Sequence, residues 1–540
     1  MNYVRRIVVT LFALLPIAPS VVCDAQAAPR LPGELVWTIG YDPKTFDPAK
    51  VDDEESETVR YLTAGVLLRF NRLTQRVEPE LAQSWTQSPD GKTVTFTLRS
   101  GLQFSDGSRL TARDAAWSLR RVLLPATAAP VAQEFVAPAG VTVDAPNETT
   151  VVVHLPKRVI AIGKVFDEIA IEPADRPSEA RVTSGPFFLA DYHRSQYVRL
   201  GRNPHYATPG AAPPYATGIR LDILENMEQE IRLLQRGDYD LIDSVPPDYF
   251  ELLRKKAPNT VRDLGPSLNT EQMWFNQAPS SPLPAWEKAW FQNRMFRVAV
   301  SQSIHRSDLA RIAYLGHATP AYSFISPANS LWYNRSLSSP QTDVAAAKAG
   351  LFAAGFRLNG SQLVDAQGHP VKFSILTNSG NAARAKMATL IQQDLSALGM
   401  QVTVVTLDFP ALIERLMHTQ DYEACLLGLE NVDPEPNAMM NIWLSSSPNH
   451  PWNPSEKSPA TPWEAEIDRL MNQQASVTRD ADRKRAVDRV QQIVADQEPF
   501  IYLVYPNALV AVSPTLQGIQ PAVLEPRLTW NVERLREGSR

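Results

Sequence analysis

Short segments of the chain alternate between apolar and polar residues, and longer ones carry apolar residues at helical spacing. In residues 94–98 every second side chain is apolar, which predicts a half-buried strand. The turn Pro89-Asp90-Gly91 in front of it favours a hairpin. Thr111 followed by Asp114 is the spacing of a capped helix start, and Pro125 marks the end of that helix.

The second half of the chain predicts alternating helices and strands. Thr342-Asp343 caps a helix that ends at Gly355, and a strand follows at residues 371–377. Apolar residues recur at helical spacing over 387–398, and a β-branched strand is predicted at 401–406. Strand, helix and strand in this order indicate an α/β fold, in which helices cover a sheet.

The first predicted strand covers residues 35–40, close to the amino end. Two breaks interrupt the pattern of helices and strands further along the chain. One break lies at Gly265-Pro266, before a strand at 272–276, and the other at Glu498-Pro499, before a strand at 500–505. The chain is too long for one hydrophobic core, so we expect two or three domains.

The amino end has the features of an export signal. Arg5-Arg6 precede an apolar run at 7–22, and Ala25-Gln26-Ala27 has the small-x-small form that signal peptidase cleaves. We therefore predict a signal peptide at 1–27 and a periplasmic location. A retained membrane anchor is one alternative, and lipidation of Cys23 is another, since it would tether the mature chain to a membrane.

Composition excludes several classes of protein. The net charge is −5 and the basic residues are scattered, so no nucleic-acid partner is expected. After cleavage Cys425 would be the one cysteine left, so no internal disulfide can form, and its apolar neighbours predict a buried thiol. Beyond the amino end no apolar stretch approaches about 18 residues, and no further membrane span is predicted.

The chain contains no known catalytic motif. Gly-x-Ser-x-Gly, His-Glu-x-x-His, a phosphate-binding glycine loop and Cys-x-x-Cys are all missing from the sequence. Its eight histidines, among them His154, His305 and His418, have no metal-ligand spacing. We therefore assign no catalytic residue, no metal ligand and no cofactor, and we expect a protein that is not an enzyme.

An ordered series of segments resembles a known family. Residues 79–85, 90–92, 96–107 and 110–114 read PELAQSW, DGK, FTLRSGLQFSDG and LTARD. This block resembles the signature region of the oligopeptide and dipeptide solute-binding proteins of ABC importers. Further similar segments follow in the family's order: TSGPF at 183–187, NPHY at 203–206, FN at 275–276, FRVA at 296–299, IHR at 304–306, and residues 345–356.

The resemblance implies an α/β, two-lobed periplasmic binding protein fold with hinge strands and an extra subdomain in the first lobe. Lobe I would comprise residues 29–266, with the subdomain at about 50–180, and a return segment at 501–540. Lobe II would be residues 267–500. The two breaks coincide with the expected hinge crossings.

The implied function is capture of a small ligand, most simply a peptide, between two lobes of a monomer. The closed protein would deliver this ligand to an ABC permease in the inner membrane. Binding would shift the open–closed equilibrium only as far as the ligand binds the closed form more tightly than the open form. Relatives with this fold also take metal chelates, haem, glutathione, opines or oligosaccharides, so a non-peptide ligand is a second hypothesis. A periplasmic enzyme, sensor or chaperone is a third.

One acidic position is the first candidate for ligand recognition. In peptide-binding relatives, an aspartate shortly before an Asp-Pro or Glu-Pro step pairs with the ligand's α-ammonium group. The matching residue here is Glu430, ahead of Asp433-Pro434, and we take Glu430 and Asp433 as candidate ligand contacts. Glutamate keeps the charge but adds one methylene, which alters a standard peptide pose. The alternative is that both are solvated loop acids.

The resemblance adds weaker candidates of three kinds. They are a hydrogen-bonding side chain after the first strand, a strand edge that could pair with an extended ligand, and apolar side chains that could line pockets. In that order they are Thr45; Asn269, Thr270 and Gln272; and Met439, Met440 and Trp443. For each, the alternative is ordinary core packing.

Overall fold

The computed structural model describes residues 29–538, except 136–137, 161, 175, 177–178, 207–212, 340, 432 and 478. The predicted signal peptide at 1–27, with Cys23, lies outside the described residues. Up to the first predicted break the elements are β1 (Glu34–Ile39), α1 (Glu54–Thr63), β2 (Leu68–Asn71), β3 (Arg76–Pro79), β4 (Ala82–Gln87), β5 (Thr93–Leu98), α2 (Ala112–Leu123), β6 (Thr142–Asn147), β7 (Thr150–His154), α3 (Ile162–Glu168), β8 (Phe187–His193), β9 (Tyr197–Arg202), β10 (Gly218–Ile223), α4 (Met227–Arg236), β11 (Leu241–Ile242), α5 (Pro247–Lys256) and β12 (Val261–Pro266).

The remaining elements continue to the carboxyl end. They are β13 (Thr270–Phe275), α6 (Ala285–Gln292), α7 (Arg294–Ser303), α8 (Arg306–Asp308), β14 (Ala318–Pro320), α9 (Val344–Ala353), β15 (Arg357–Asn359), β16 (Gln362–Val364), β17 (Lys372–Asn378), α10 (Ala382–Ser396), β18 (Gln401–Leu407), α11 (Phe409–Ile413), β19 (Ala424–Leu429), α12 (Met440–Trp443), α13 (Pro462–Gln474), α14 (Asp480–Gln497), β20 (Phe500–Val512), β21 (Leu516–Gln517) and β22 (Arg536–Glu537). Turns of π-helix extend α8 over Leu309–Ala313 and α11 over Glu414–Thr419.

The predicted strand at 94–98 and the helix after it are confirmed. In β5 the side chains of Val94, Phe96 and Leu98 are buried, whereas the residues between them are partly exposed. The backbone N–H of Thr111 donates to Asp114 Oδ2 at 2.8 Å, which caps α2 as its spacing predicted. These elements belong to a small antiparallel sheet in the order β4-β5-β7-β6.

The predicted helices and strands of the second half are confirmed as well. The Asp343 side chain accepts the Ala346 N–H at the start of α9, and Gly355 follows that helix with φ +91°. Strands β17 and β18 are parallel neighbours, and α10 connects them. The helix buries Ile391 and Leu395 against the sheet, which gives the α/β layer its core.

Two larger sheets carry the rest of the chain. A four-stranded sheet has the order β1-β10-β9-β8, and β1 is parallel to β10. An eight-stranded sheet has the order β11-β20-β13-β19-β17-β18, with β12 and β14 also paired to β20. Below we use lobe I and lobe II for the two parts of the chain predicted above, with residues 29–266 and 501–540 in lobe I.

Strand β20 runs on past the predicted end at residue 505. Its first half pairs with β13, and its second half pairs with β11 and β12. Pro506 lies where the partner of β20 changes from β13 to β12. Proline has no N–H to donate, but no continuous hydrogen-bond ladder crosses this point, so the strand continues past it. A boundary placed by strand pairing would therefore fall inside β20, and the predicted return at 501 stays a prediction.

Separate hydrophobic cores support these layers. Clusters around Phe296 and Trp443 cover the two faces of the eight-stranded sheet. The core of the four-stranded sheet takes residues from both ends of the chain, for example Leu35 and Leu535. Cys425 is a free, buried thiol, as predicted, and burial raises its pKa far above the ordinary range.

Candidate functional site

A cavity of about 460 Å³ lies between the two lobes. Helices α1 and α3 and strand β2 supply its lobe I wall, together with Glu525 near the carboxyl end. The loop after β19, the start of α14 and Trp332 supply the wall from lobe II. The volume falls within the range of small-molecule sites, about 300–1,000 Å³.

An ion pair crosses this cavity from one lobe to the other. Lys164 Nζ on α3 lies 2.5 Å from Asp433 Oδ2, and 3.2 Å from Glu168 on its own helix. Burial disfavours the charged lysine, but the carboxylates of Asp433 and Glu168 outweigh it and raise the Lys164 pKa above its usual value. The lysine is therefore a cation that holds the lobes together.

A turn of lobe I makes a further contact with lobe II. Gln75 lies in the turn between β2 and β3, has a φ of +56° and is buried. Its Nε2 donates to the Ala328 carbonyl at 2.7 Å, and its Oε1 accepts the Ser330 N–H at 3.1 Å and the Ser330 hydroxyl at 3.0 Å. Three hydrogen bonds thus accompany the Lys164 ion pair.

Charged groups of both signs line the cavity walls. Arg72 pairs with Asp167 at 3.2 Å on the lobe I wall, and Arg483 pairs with Glu435 at 2.7 Å on the other. The Arg483 guanidinium also stacks on Trp332, 4.6 Å from the ring centroid. Burial raises the Glu435 pKa, and the charge of Arg483 partly offsets that effect. A ligand that carries both charges would find partners on either wall.

Glu430 is outside the cavity lining but belongs to an acidic patch with Glu54 and Glu525, defined by the charges that act on Glu54. It follows β19 and is exposed. The Glu54 pKa is raised, mainly because burial removes water from the carboxylate. The negative charges of neighbours, which include Glu525 and Glu430, raise it further. Glu525 also lines the cavity, so the acidic patch adjoins it. This patch favours a cationic group.

The structure joins Asn269 to the acidic loop. Its Oδ1 accepts the Asn431 N–H at 2.9 Å, and Asn431 Nδ2 donates back to the Leu268 carbonyl at 3.1 Å. Asn269 therefore fixes the backbone next to Glu430. Thr270 is buried and opposes Leu429 in the β13–β19 pair. Whether either side chain touches a ligand stays a prediction.

The expectation of a free strand edge at Gln272 is wrong. Strand β13 is an interior strand, and Gln272 opposes Leu427 on one side and Tyr502 on the other. Its backbone hydrogen bonds are already used, so a ligand cannot add a strand there. Both side-chain amide atoms of Gln272 are buried without a partner among the described residues, as is the Tyr502 hydroxyl.

Thr45 and the apolar candidates are engaged in local structure. The Thr45 hydroxyl accepts the Asp47 N–H at 3.0 Å within the turn after β1. Met439 and Trp443 are buried in the core beneath the large sheet, and Met440 packs against it half-buried. Trp443 lies 4.6 Å from Phe324 between ring centroids. These contacts agree with core packing, and a ligand role for these residues stays a prediction.

Sequence reasoning missed four residues that line the cavity together with Asp433. Lys164, Arg483, Trp332 and Glu525 stand in segments without a motif. Lys164 and Asp433 are 269 positions apart, and no local pattern connects them. The charged residue types alone are common on surfaces, so nothing in the sequence could have marked them.

Residues 76–451 match the family described as bacterial extracellular solute-binding proteins, family 5 Middle. The match covers most of the chain, and the chain belongs to this family. Family members are substrate-binding transport proteins of ABC importers, which confirms the predicted family and class. They act outside the cytoplasm, and across the described part of the chain no helix is long and apolar enough to cross a membrane.

Curated relatives are similar over nearly the full length. A probable ABC transporter-binding protein of Deinococcus radiodurans is 25% identical, with 96% of this chain and 95% of the relative covered. A probable D,D-dipeptide-binding periplasmic protein of Escherichia coli is also 25% identical, with 88% and 89% covered. Heme-binding protein A of Haemophilus influenzae is 25% identical, with 90% and 89% covered.

Solved structures share the architecture. The ABC transporter substrate-binding protein CtaP of Listeria monocytogenes superposes with a TM-score of 0.78 at 21% identity. The superposition covers 94% of this chain and 99% of that chain. The predicted α/β, two-lobed periplasmic binding protein fold is thereby confirmed.

Proposed function

We propose that this chain captures a peptide between its two lobes and presents it to the permease of an ABC importer. The observation that carries the proposal is the cavity of about 460 Å³ whose walls come from both lobes and hold charges of both signs. A ligand there contacts both lobes at once, so its binding energy favours closure. The name of the D,D-dipeptide-binding relative supports a peptide ligand.

Glu430 is the proposed partner of the ligand's ammonium group. Its charge and that of Glu525 both act on Glu54, so the three carboxylates add to one negative potential next to the cavity that Glu525 lines. The carboxylate of a peptide would lie toward Arg483 and Lys484 on the cavity wall, where cations are within reach. Asp433 acts differently, because it already pairs with Lys164 across the lobes.

The remaining expectations form part of the same proposal. The chain works in the periplasm as a monomer, holds no cofactor or nucleic acid, and performs no chemistry on its ligand. We assign residues 29–266 and 501–540 to lobe I and residues 267–500 to lobe II; the change of β20 from β13 to β12 as its neighbour supports a crossing between the lobes near these positions. The signal peptide at 1–27 directs export, and Cys23 is removed with it.

A non-peptide ligand is the second candidate. A haem-binding relative with similar coverage supports it, since one fold serves chemically different ligands. The two candidates differ in what they need from Glu430. A free α-amino group requires the acidic patch, whereas a ligand without a cation does not.

Thermal unfolding with di- to pentapeptides, free and N-acetylated, tests the proposal. At 100 times its dissociation constant a free peptide stabilises the protein by about 2.7 kcal/mol. We expect acetylation and Glu430→Gln each to abolish most of this stabilisation. Glu414→Gln is the control, because Glu414 is exposed in the same lobe but is not among the charges that raise the Glu54 pKa. Equal stabilisation by free and acetylated peptides would contradict the ammonium role.

A further inference from the structure

A buried cluster of one histidine and two glutamates lies in lobe II, away from the cavity. His450 and Glu456 belong to the segment between α12 and α13, and Glu464 belongs to the first turn of α13. His450 Nε2 is 3.8 Å from Glu456 Oε1 and 3.8 Å from Glu464 Oε1. The three potential ligand atoms lie within 4.8 Å of one another.

The histidine nitrogen that faces the carboxylates has no hydrogen-bond partner among the described residues. His450 Nδ1 lies 2.8 Å from the Ile442 carbonyl, which can only accept, so Nδ1 carries the hydrogen. The Nε2 atom is then free to offer its lone pair to the cluster. It is buried and makes no hydrogen bond within the described structure, while the whole residue is 1% exposed.

Neighbouring donors orient both carboxylates. Trp452 Nε1 donates to Glu464 Oε1 at 2.9 Å, and the Thr461 hydroxyl donates to Glu464 Oε2 at 2.7 Å. Asn453 Nδ2 donates to Glu456 Oε1 at 2.7 Å. Such outer contacts fix the direction of metal-binding carboxylates in proteins. The cluster is thus prearranged, although no hydrogen bond joins its own three members.

A cation fits this arrangement better than an internal hydrogen bond does. A protonated imidazole bound to a carboxylate would approach it to about 2.8 Å, a full ångström closer than the 3.8 Å found here. Tetrahedral zinc with bonds of about 2.0–2.2 Å places its ligand atoms about 3.4 Å apart, so each histidine–carboxylate separation of 3.8 Å would shorten by about 0.4 Å. Calcium and magnesium would need about six oxygen ligands, and an imidazole suits zinc.

We propose that His450, Glu456 and Glu464 bind one zinc ion that fastens the segment before α13 to that helix. A water molecule would complete the four ligands. The three side chains are at most 4% exposed, so the site is nearly closed to bulk solvent. Because His450 also holds the Ile442 carbonyl, the ion would fix α12, which carries Met440 and Trp443.

Metal content of the full-length mature protein, freed of any affinity tag, tests this proposal. We expect one zinc per chain after equilibration with zinc chloride and removal of excess, and a higher unfolding temperature than after chelation. Glu456→Gln keeps the side-chain volume and should weaken zinc binding by at least 10-fold. Glu464→Gln should do the same. His418→Ala is the control, because His418 is exposed in the same lobe.

Cobalt(II) in place of zinc gives an independent readout. Four-coordinate cobalt at this site should show strong visible absorption bands that Glu456→Gln removes and His418→Ala retains. The proposal is overturned if less than a tenth of the chains hold zinc at saturation, or if both glutamine variants bind it like the parent. It is equally overturned if nitrogen-15 NMR in the presence of zinc shows hydrogens on both nitrogens of His450.

Discussion

Replacing Lys164 by methionine should open the two lobes. The lysine is the one cation of α3 that reaches Asp433, and its removal leaves that carboxylate without its partner across the cleft. Glu168 pairs with Lys164 inside the same helix, so opening of the lobes need not break that contact. Of the two ion pairs of Lys164, the one with Asp433 joins the lobes, so the substitution should act on closure through that contact.

The expected magnitude follows from the exposure of the pair. Exposed ion pairs contribute about 0.2–1 kcal/mol, and removing one partner of a fully buried pair costs about 3–5 kcal/mol. The Lys164 side chain is 33% exposed and that of Asp433 is 11% exposed, between these limits. We expect about 1–2 kcal/mol, which lowers the ratio of closed to open molecules by about 5- to 30-fold.

Energy transfer between dyes on lobe I and lobe II measures this ratio without ligand. Cysteines introduced at the exposed positions Arg232 and Lys386 can be labelled, while buried Cys425 stays unreactive. Lys484→Met is the matched control, because Lys484 lines the same cavity but pairs with Asp488 inside lobe II. If Lys164→Met and Lys484→Met give the same closed fraction, the cross-lobe ion pair does not control closure.

Three further outcomes are expected. Gln75→Ala removes three hydrogen bonds between the lobes and should lower the closed fraction in the same energy-transfer assay, and an unchanged fraction would contradict that role. Phe96→Ala empties a fully buried site and should cost about 3–5 kcal/mol in chemical unfolding, whereas Thr95→Ala on the other strand face should cost under about 1 kcal/mol. Burial raises the Glu498 pKa to about 7 from 4.5, with partial compensation by neighbouring arginines. The native state then holds more protons than the unfolded state between those values, so stability falls as pH rises from about 4.5 to 7. Glu498→Gln should remove this part of the pH dependence, and an unchanged slope of stability against pH would argue against it.

Local patterns predicted most individual elements. Strand β5 followed from alternation, and the start of α2 followed from Thr111 and Asp114, because neighbours in sequence make the contacts that decide both. Strand β20 was underestimated at Pro506, since proline normally ends a strand and only the sheet order shows that this one lies at a change of partners. The free edge expected at Gln272 was wrong for the same reason, because pairing on both sides is a property of the whole sheet.

The site was predictable only in part. Glu430 and Asp433 could be predicted as candidate ligand contacts because their segment resembles a family motif. Its partner Lys164 comes from the opposite lobe and has no motif of its own. The proposed zinc cluster could not be predicted from the sequence for a related reason. His450, Glu456 and Glu464 have no standard ligand spacing, and the fold of the segment before α13 brings them together.

Native mass spectrometry after incubation with an equimolar mixture of di- to pentapeptides tests the central claim most directly. We expect one peptide bound per chain, displaced by further free peptide and not by the same peptides with acetylated amino ends. Lys164→Met should hold the same single peptide more weakly, since the closed form is less populated. Absence of bound peptide, or several peptides that never saturate, would contradict capture in one cleft between two lobes.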